Sequence, residues 1–392
     1  MTNINSATRR RSQVIIPFAL AGAVASGAAH AGPTITYGDE GFVTLGYSVQ
    51  IWAQNRDFTS TTDSGNTTDF FLRRNRITLS GQHNDYVGFY AQLEAGSDSR
   101  AGQDNRNVYY RDAYVTFDWT DSLRFIAGRF KNTFTRENLE ACLEPLTLDR
   151  GEVISYTPFG GTRDTGVAMW GNLAEGMFQY RLMASDGREG DEVVDDGPRL
   201  TARAHVSLWE PEYDYGYRGT YLGTRKVLTI GAAYDHQADV AYADYTNRRD
   251  ARDYSAWTAD VFMEYPTASG TFTASAAYMD YSVDDAINAD PDPALPVTSE
   301  LNGNYVKLGY LFPNKIGIGR LQLFARHEKL DYDVANGFYD NTWKSIGANY
   351  YINGQQLKLT FEYASVDYDR QHPTDPSLTD YDQATLGFQL IF

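Results

Sequence analysis

From Val43 the odd positions read Val43, Leu45, Tyr47, Val49 and Ile51, while the even ones read Thr44, Gly46, Ser48 and Gln50. Alternation of period two puts apolar side chains on one face of a strand and polar ones on the other. The pattern returns at Val87, Phe89, Ala91 and Leu93, at Leu200, Ala202, Ala204, Val206 and Leu208, at Val306, Leu308 and Tyr310, and at Leu357, Leu359, Phe361 and Tyr363. In all it predicts sixteen strands, beginning near residues 42, 70, 86, 108, 122, 164, 177, 199, 226, 254, 270, 303, 320, 342, 355 and 381.

The predicted connections alternate in length. Those at 82–86, 172–176, 266–270, 313–319 and 353–355 are tight and rich in turn residues, whereas the other set runs to about 11 to 30 residues, the rhythm of short periplasmic turns and long external loops. The segment Glu210 to Arg225 falls where a short turn belongs and is too long for one. It is expected to be absorbed by longer flanking strands.

A soluble sandwich also alternates apolar and polar residues. Three features favour lipid over a protein core: aromatic residues gather at strand ends (Tyr109 with Tyr110, Tyr350 with Tyr351, Trp119, Trp209), the strand count is even, and the chain ends in Phe392 after Ala384, Leu386, Phe388 and Leu390. A last strand that pairs with the first leaves no free edge. The fold class is therefore all-β, a transmembrane antiparallel barrel of sixteen strands. The longest connection, 132–161, is the third external loop.

Composition narrows this further. The mean hydropathy of −0.47 excludes a helical membrane protein, and 29 tyrosines suit a barrel. Arg9, Arg10 and Arg11, the apolar run Val14 to Ala29, and Ala29-His30-Ala31 before Gly32 form a secretory leader, with cleavage expected after Ala31. Adjacent arginines also fit a twin-arginine leader, but a barrel that inserts from an unfolded state is better exported by the general route. Residues 1–31 are thus read as a signal peptide and 32–392 as one barrel domain. Loss of the leader takes the formal charge from −17 to −20, which argues against nucleic acid as a partner. Most of that charge lies in three presumed external loops, 186–198, 282–302 and 367–382. Those acids most simply keep the loops solvated. Carboxylates can ligate divalent cations, yet no metal site is assigned. The single cysteine, Cys142, permits no intrachain disulfide and is read as an incidental loop residue.

With the outward faces fixed by alternation, the lumen-facing positions of the second strand are Leu72, Arg74, Arg76, Thr78 and Ser80. The same parity turns Arg203, His205, Lys307, Arg326 and Lys358 inward, so that Arg74, Arg76, Arg203, Lys307, Arg326 and Lys358 form a candidate track for anions. A guanidinium donates to two oxygens at once and keeps its charge. The competing reading is a solvated wall of mixed charge, because Glu94, Asp112, Asp260, Glu264, Glu328 and Glu362 face the same water. The third loop carries Arg136 and Arg150 alongside Glu137, Glu140, Glu144 and Asp149.

Phe71-Leu72-Arg73-Arg74-Asn75-Arg76-Ile77, Tyr110-Arg111-Asp112-Ala113-Tyr114 and Ala127-Gly128-Arg129-Phe130-Lys131 resemble the phosphate-selective porin O and P family. So do Gly309-Tyr310-Leu311-Phe312, the run Leu323 to Asp331, and Leu386-Gly387-Phe388-Gln389. The resemblance covers the mature chain. It implies a sixteen-stranded barrel, usually trimeric, in the outer membrane of a Gram-negative bacterium, with a preference for anions such as phosphate and with the 132–161 loop folded into the lumen as a constriction to which Arg136 and Arg150 would belong.

No GxSxG, GxGxxG, Walker or HExxH pattern is present, and His205 and His327 are read as wall residues, so neither catalysis nor a cofactor is expected. Three functions stay open at this level: a diffusion pore for small polar solutes, a closed structural or adhesive barrel, and a sheath for an electron-transfer partner. Sixteen strands favour the pore, since a barrel of that width holds water.

Overall fold

A computed structural model describes residues 32–57, 66–96, 107–151, 161–189, 197–288, 290, 293, 295–334, 337–373, 375 and 378–392. The leader and its cleavage site lie outside the described residues. Sixteen antiparallel strands close into one barrel: β2 (Gly41–Arg56), β3 (Thr67–Gln82), β4 (Val87–Glu94), β5 (Tyr109–Thr120), β6 (Leu123–Lys131), β7 (Arg163–Leu173), β8 (Phe178–Ser185), β9 (Arg199–Ser207), β10 (Val227–Asp244), β11 (Arg249–Thr267), β12 (Gly270–Ser282), β13 (Leu301–Ile316), β14 (Gly319–Tyr332), β15 (Asn341–Asn353), β16 (Leu357–Tyr368) and β17 (Tyr381–Ile391). Fourteen of the sixteen begin within two residues of the predicted starts; β3 begins three residues earlier and β11 five.

Closure falls between β17 and β2, where Gln383 to Ile391 pair with Arg56 to Ser48. Phe392 and Tyr47 exchange backbone hydrogen bonds of 2.9 and 2.7 Å at the seam. In a bilayer core an unpaired backbone group has no water to turn to, so a closed ladder is the arrangement a strand protein can adopt there. The alternation did not reveal a seventeenth strand, β1 (Thr34–Tyr37), which pairs with Phe42 to Thr44 below the end of β17 and covers backbone that the short last strand leaves open.

Outward positions are apolar as the alternation requires: Ile51, Ile77, Leu182, Ile230, Leu308, Phe361 and Leu386 are all exposed. Aromatic side chains ring the periplasmic end, with Tyr86 stacked on Phe117 and Trp119, and Lys226 placed 4.7 Å from the rings of both Trp209 and Tyr265. Tyr351 is an exception to the expected girdle. It is buried in the lumen and donates to Gln322 Oε1 at 2.7 Å.

Parity also fails at Leu72, which is exposed on the outer face while Phe71 is buried inside. A β-bulge causes this: Gln50 pairs with Arg74 and Ile51 with Leu72, so Arg73 is an extra residue that reverses the alternation above it. A second bulge makes Arg111 the extra residue between Asp112 and Tyr110, opposite Gln92 and Leu93.

The larger departure is at residues 208–226. The flanking strands do not lengthen to absorb this segment, since β9 ends at Ser207 and β10 begins at Val227. Glu212, Tyr215, Tyr217, Thr220 and Tyr221 are instead all buried, and the segment folds upward into the lumen. Burial of three of its four tyrosines offsets the cost of ordering a long connection. Beside it, Phe134, Tyr254, Met279, Tyr281, Ile287, Leu301, Tyr305 and Leu330 form an apolar cluster that fills the β10–β14 side of the interior.

Ile346 lies at the middle of β15 on the outer face. Ile346→Arg is expected to cost ~2 to 4 kcal/mol of folding into lipid vesicles, as an arginine on the lipid face near the midplane does. Urea titration of vesicle-folded protein checks this, and an unchanged midpoint would show that the face is not in lipid.

Candidate functional site

The third loop leaves β6 and crosses the lumen. Asn132 Oδ1 accepts from Phe134 N, and Thr135 caps a single helical turn, α1 (Arg136–Leu139), by accepting from Asn138 N at 3.0 Å. Beyond α1 the loop reaches the opposite wall. Asn349 on β15 donates to Leu146 O at 2.8 Å, Gln389 on β17 donates to Leu143 O at 2.9 Å, and Leu148 packs on Trp52 and Phe71. Gly309 on β13 makes room for this crossing, since a Cβ there would lie 2.6 Å from Leu146 Cδ1.

The periplasmic segment 208–226 meets the loop from below as a short strand-like splice. Ala141 N donates to Tyr217 O at 2.9 Å, Tyr217 N to Leu139 O at 3.2 Å, and Gly219 N to Glu144 O at 3.1 Å. A Cβ at Gly219 would lie 2.5 Å from Leu146 N, so only glycine permits this approach. The splice is locked by Arg136, whose two Nη atoms each donate to Glu212 at 2.8 Å. Its guanidinium sits between the rings of Tyr217 and Phe262, 4.3 and 4.1 Å from their centroids. Arg136 holds the Glu212 carboxyl at about 2 against the opposing effect of burial.

The site candidates separate into two groups. Arg203 is tied to Asp260 at 2.7 Å and Lys307 to Glu137, both on the filled side of the barrel, so these two cations brace the loop and the wall. Arg74, Arg76, Arg150 and Arg326 instead line the open side. Arg74 reaches Asp149 of the third loop at 2.7 Å and Arg76 reaches Glu94 at 2.8 Å. Arg150 donates to Asn138 O and Oδ1 at 3.2 and 3.3 Å, and Arg326 lies over the Trp343 ring, 4.4 Å from its centroid. Lys358 points inward near the periplasmic end of β16, where it donates to Gln355 Oε1 at 3.0 Å. Glu264 accepts from Thr220 and from the backbone of Tyr221 and Gly223, so it anchors the inserted segment. His205 Nδ1 is 2.7 Å from Tyr217 Oη on the same segment, while His327 is exposed on the outer face.

Several lumenal cations escaped the parity reading, among them the fully buried Arg181 and Arg199 and four that border the open side. Arg73 and Arg111 are the extra residues of the two bulges; Arg73 pairs with Asp149 at 2.9 Å and Arg111 with Glu94. Arg163, at the start of β7, holds Asp112 at 3.1 Å. Lys131 donates to Leu139 O and Glu140 O at 3.1 and 2.5 Å as the chain turns inward. The consecutive Arg73-Arg74 was the available signal, because a strand that places both on the wet side must carry a bulge.

These cations surround two cavities, an external one bounded by β14–β17 and β2–β5 and a second one along β3–β7. The external one has a volume of about 440 Å³ and is lined by Arg73, Arg74, Arg111, Arg150 and Arg326 against Glu94, Asp149 and Glu362. The one beneath the loop is about 50 Å³, room for a water or two, and is lined by Arg76, Arg163, Lys131, Asp112, Glu144 and Cys142. Burial opposes ionisation of both Asp149 and Cys142. Arg74 and Arg73 nevertheless hold the Asp149 carboxyl well below the usual range, and Arg150 and Lys131 hold the Cys142 thiol below its ordinary value. Burial lifts Glu140 and Glu144 to about 7, against the pull of Arg136 at 3.6 Å from Glu140 and of Arg218 at 3.3 Å from Glu144.

Residues 43–392 match the family model described as phosphate-selective porin O and P. No curated protein matches the chain. Solved structures share the fold at low identity. The outer membrane channel DcaP of Acinetobacter baumannii is 16% identical, with a TM-score of 0.57 over 91% of this chain and 99% of that one. OprB of Pseudomonas putida is 10% identical, with a TM-score of 0.59 over 90% and 94%. The trimer form of OmpT, an outer membrane protein of Vibrio cholerae, is 12% identical, with a TM-score of 0.53 over 90% and 100%.

Arg136→Ala leaves Glu212 buried without its partner, a loss of about 3 to 5 kcal/mol. The inserted segment is then expected to detach from the third loop and single-channel conductance to rise. Adding Glu212→Ala should restore part of the stability, because the orphaned charge is gone. Conductance unchanged by Arg136→Ala would show that the splice does not restrict the lumen.

Proposed function

The chain belongs to the phosphate-selective porin O and P family and forms an outer-membrane channel of a Gram-negative bacterium; on that premise we propose that it passes small polar solutes with a preference for anions, phosphate and other oxyanions among them. The observation that carries this is the external cavity, where five guanidiniums face three carboxylates. The route runs from that cavity past Arg150 and Arg76 to the smaller cavity under the loop. Spaced cations suit conduction better than one deep trap, because an ion that binds must also leave. The total charge of −17 does not oppose this, since most of it falls in the three presumed external loops and charges more than a Debye length of ~8 Å apart are largely screened.

The chain acts as a conduit with no reaction of its own, and Gly32 begins the mature protein after removal of residues 1–31. A homotrimer is the assembly proposed, supported by the trimer form of the Vibrio cholerae neighbour.

Replacing Arg73 and Arg74 by Ala removes two of the five cavity cations and releases Asp149. The reversal potential in a salt gradient should move toward cations at about 0.1 M salt and move less at about 1 M, where screening acts within ~3 Å. An unchanged potential at low salt would reject the basic lining as the source of selectivity.

Raising the pH should act in the same direction. Glu140 and Glu144 are neutral below about 7 and become negative above it. Raising pH from about 6 to 8 therefore adds up to two negative charges beside the route, and anion preference should fall. Reversal potentials at the two pH values check this; a preference that rises with pH would contradict it.

A further inference from the structure

We infer that the outer face of β6–β10 binds a phosphate-bearing lipid of the outer leaflet, with the headgroup phosphate on Arg129 and an acyl chain in the groove beside it. Such a site lies on the lipid-facing side of the barrel and is independent of which ions the lumen passes.

The first observation is Arg129. On β6 it pairs with Ala113 of β5 and Thr165 of β7, and that register turns it outward, on the same face as Ala127. The outward positions of β3–β9 carry no other charged side chain among the described residues. Arg129 is half-buried and has neither a hydrogen bond nor an ion pair among the described residues. Its depth follows from strand length. β6 and β9 have nine residues each and β8 eight, against the roughly 9 to 11 that a tilted strand needs to cross the hydrocarbon. Their external ends therefore lie at the outer headgroups, and Arg129 is third from the end of β6. Tyr110 of β5, exposed on the same face, marks that level as an interfacial aromatic does. A guanidinium at this depth meets lipid phosphates, and its planar fork can donate to two oxygens of one.

The second observation is the groove. It holds about 650 Å³ across β6–β10 and is lined by apolar side chains save Thr201, Tyr234 and His236. The small side chains of Ala127, Ala184 and Ala202 leave room between the larger Phe125, Leu182 and Tyr234. Because it opens on the lipid face, an acyl chain can enter it and a dissolved solute cannot. Arg129 stands at its margin, two residues beyond Ala127 on the same strand face. A second copy is the competing occupant. A ring with this face at its centre would gather the β3–β9 faces of all copies, and none of their outward residues is a carboxylate that could answer Arg129.

The test is native mass spectrometry of the detergent-solubilised protein, titrated with lipid A and with lipid A stripped of its phosphates. Lipid A is expected to half-saturate one site per barrel at a concentration about tenfold below the stripped lipid. Arg129→Gln should abolish that difference and Arg129→Lys should keep most of it, whereas Ala184→Trp, which fills the groove, should weaken both lipids about tenfold. Equal binding of the two lipids, lipid A binding indifferent to Arg129→Gln, or binding indifferent to Ala184→Trp would each overturn the inference. So would an oligomer that Ala184→Trp splits into single barrels with lipid binding intact, since the face would then belong to a second copy. Should a variant fail to fold, the two lipids compared on the unaltered protein decide.

Discussion

A backbone that crosses hydrocarbon must satisfy every N–H and C=O within itself. Here that condition is met by closing β17 onto β2, and much of the architecture follows from the closure. A closed sheet has one face in lipid and one in the lumen, and each strand must alternate between them. The lumenal face then collects the charged side chains, and in a confined space they must pair with one another or with a solute. The ion pairs of Arg76 with Glu94, Arg163 with Asp112 and Arg203 with Asp260 are the wall satisfying that demand from adjacent strands.

Two segments then reshape the interior from opposite ends. The third loop descends from outside, the 208–226 segment rises from the periplasmic side, and backbone hydrogen bonds between Leu139, Ala141, Glu144, Tyr217 and Gly219 join them. Leu139 and Tyr217 of their junction pack on Ile126, Phe130, Trp170 and Met183 of β6–β8, the Phe134, Tyr254 and Tyr281 cluster fills the β10–β14 side, and the external cavity is left between β14–β17 and β2–β5. On the proposed reading, selectivity belongs to the basic lining of that space. Arg203 and Lys307 belong to the scaffold that sets this asymmetry, and Arg73, Arg74, Arg111 and Arg150 to the space it leaves.

The barrel was legible because alternation is a local property repeated sixteen times, and each repeat is enforced by lipid on one side and water on the other. Leu72 was misplaced for a physical reason: a bulge adds one residue, and parity beyond it reverses. The same device brought Arg73 and Arg111 inward, where strict alternation had no place for them. The fold of residues 208–226 was out of reach for a different reason. Its excess length over a short turn was visible, but its destination depends on a carboxylate, Glu212, meeting Arg136 some 76 residues earlier in the chain. No periodicity records such a contact. Inward orientation of Arg74, Arg76, Arg203 and Lys307 could be read from the strands, whereas their division between bracing and lining depends on where the two inserted segments lie.

The central claim is that a basic wall, and not the acidic total of the chain, decides which ions pass. Zero-current potential of the unaltered channel across a tenfold KCl gradient, held near 0.1 M on the dilute side and at neutral pH, tests it most directly. The account predicts the sign of a chloride-preferring pore, weakening as both solutions are made more concentrated. A potassium-preferring sign would contradict it and make the loop carboxylates the controlling charges.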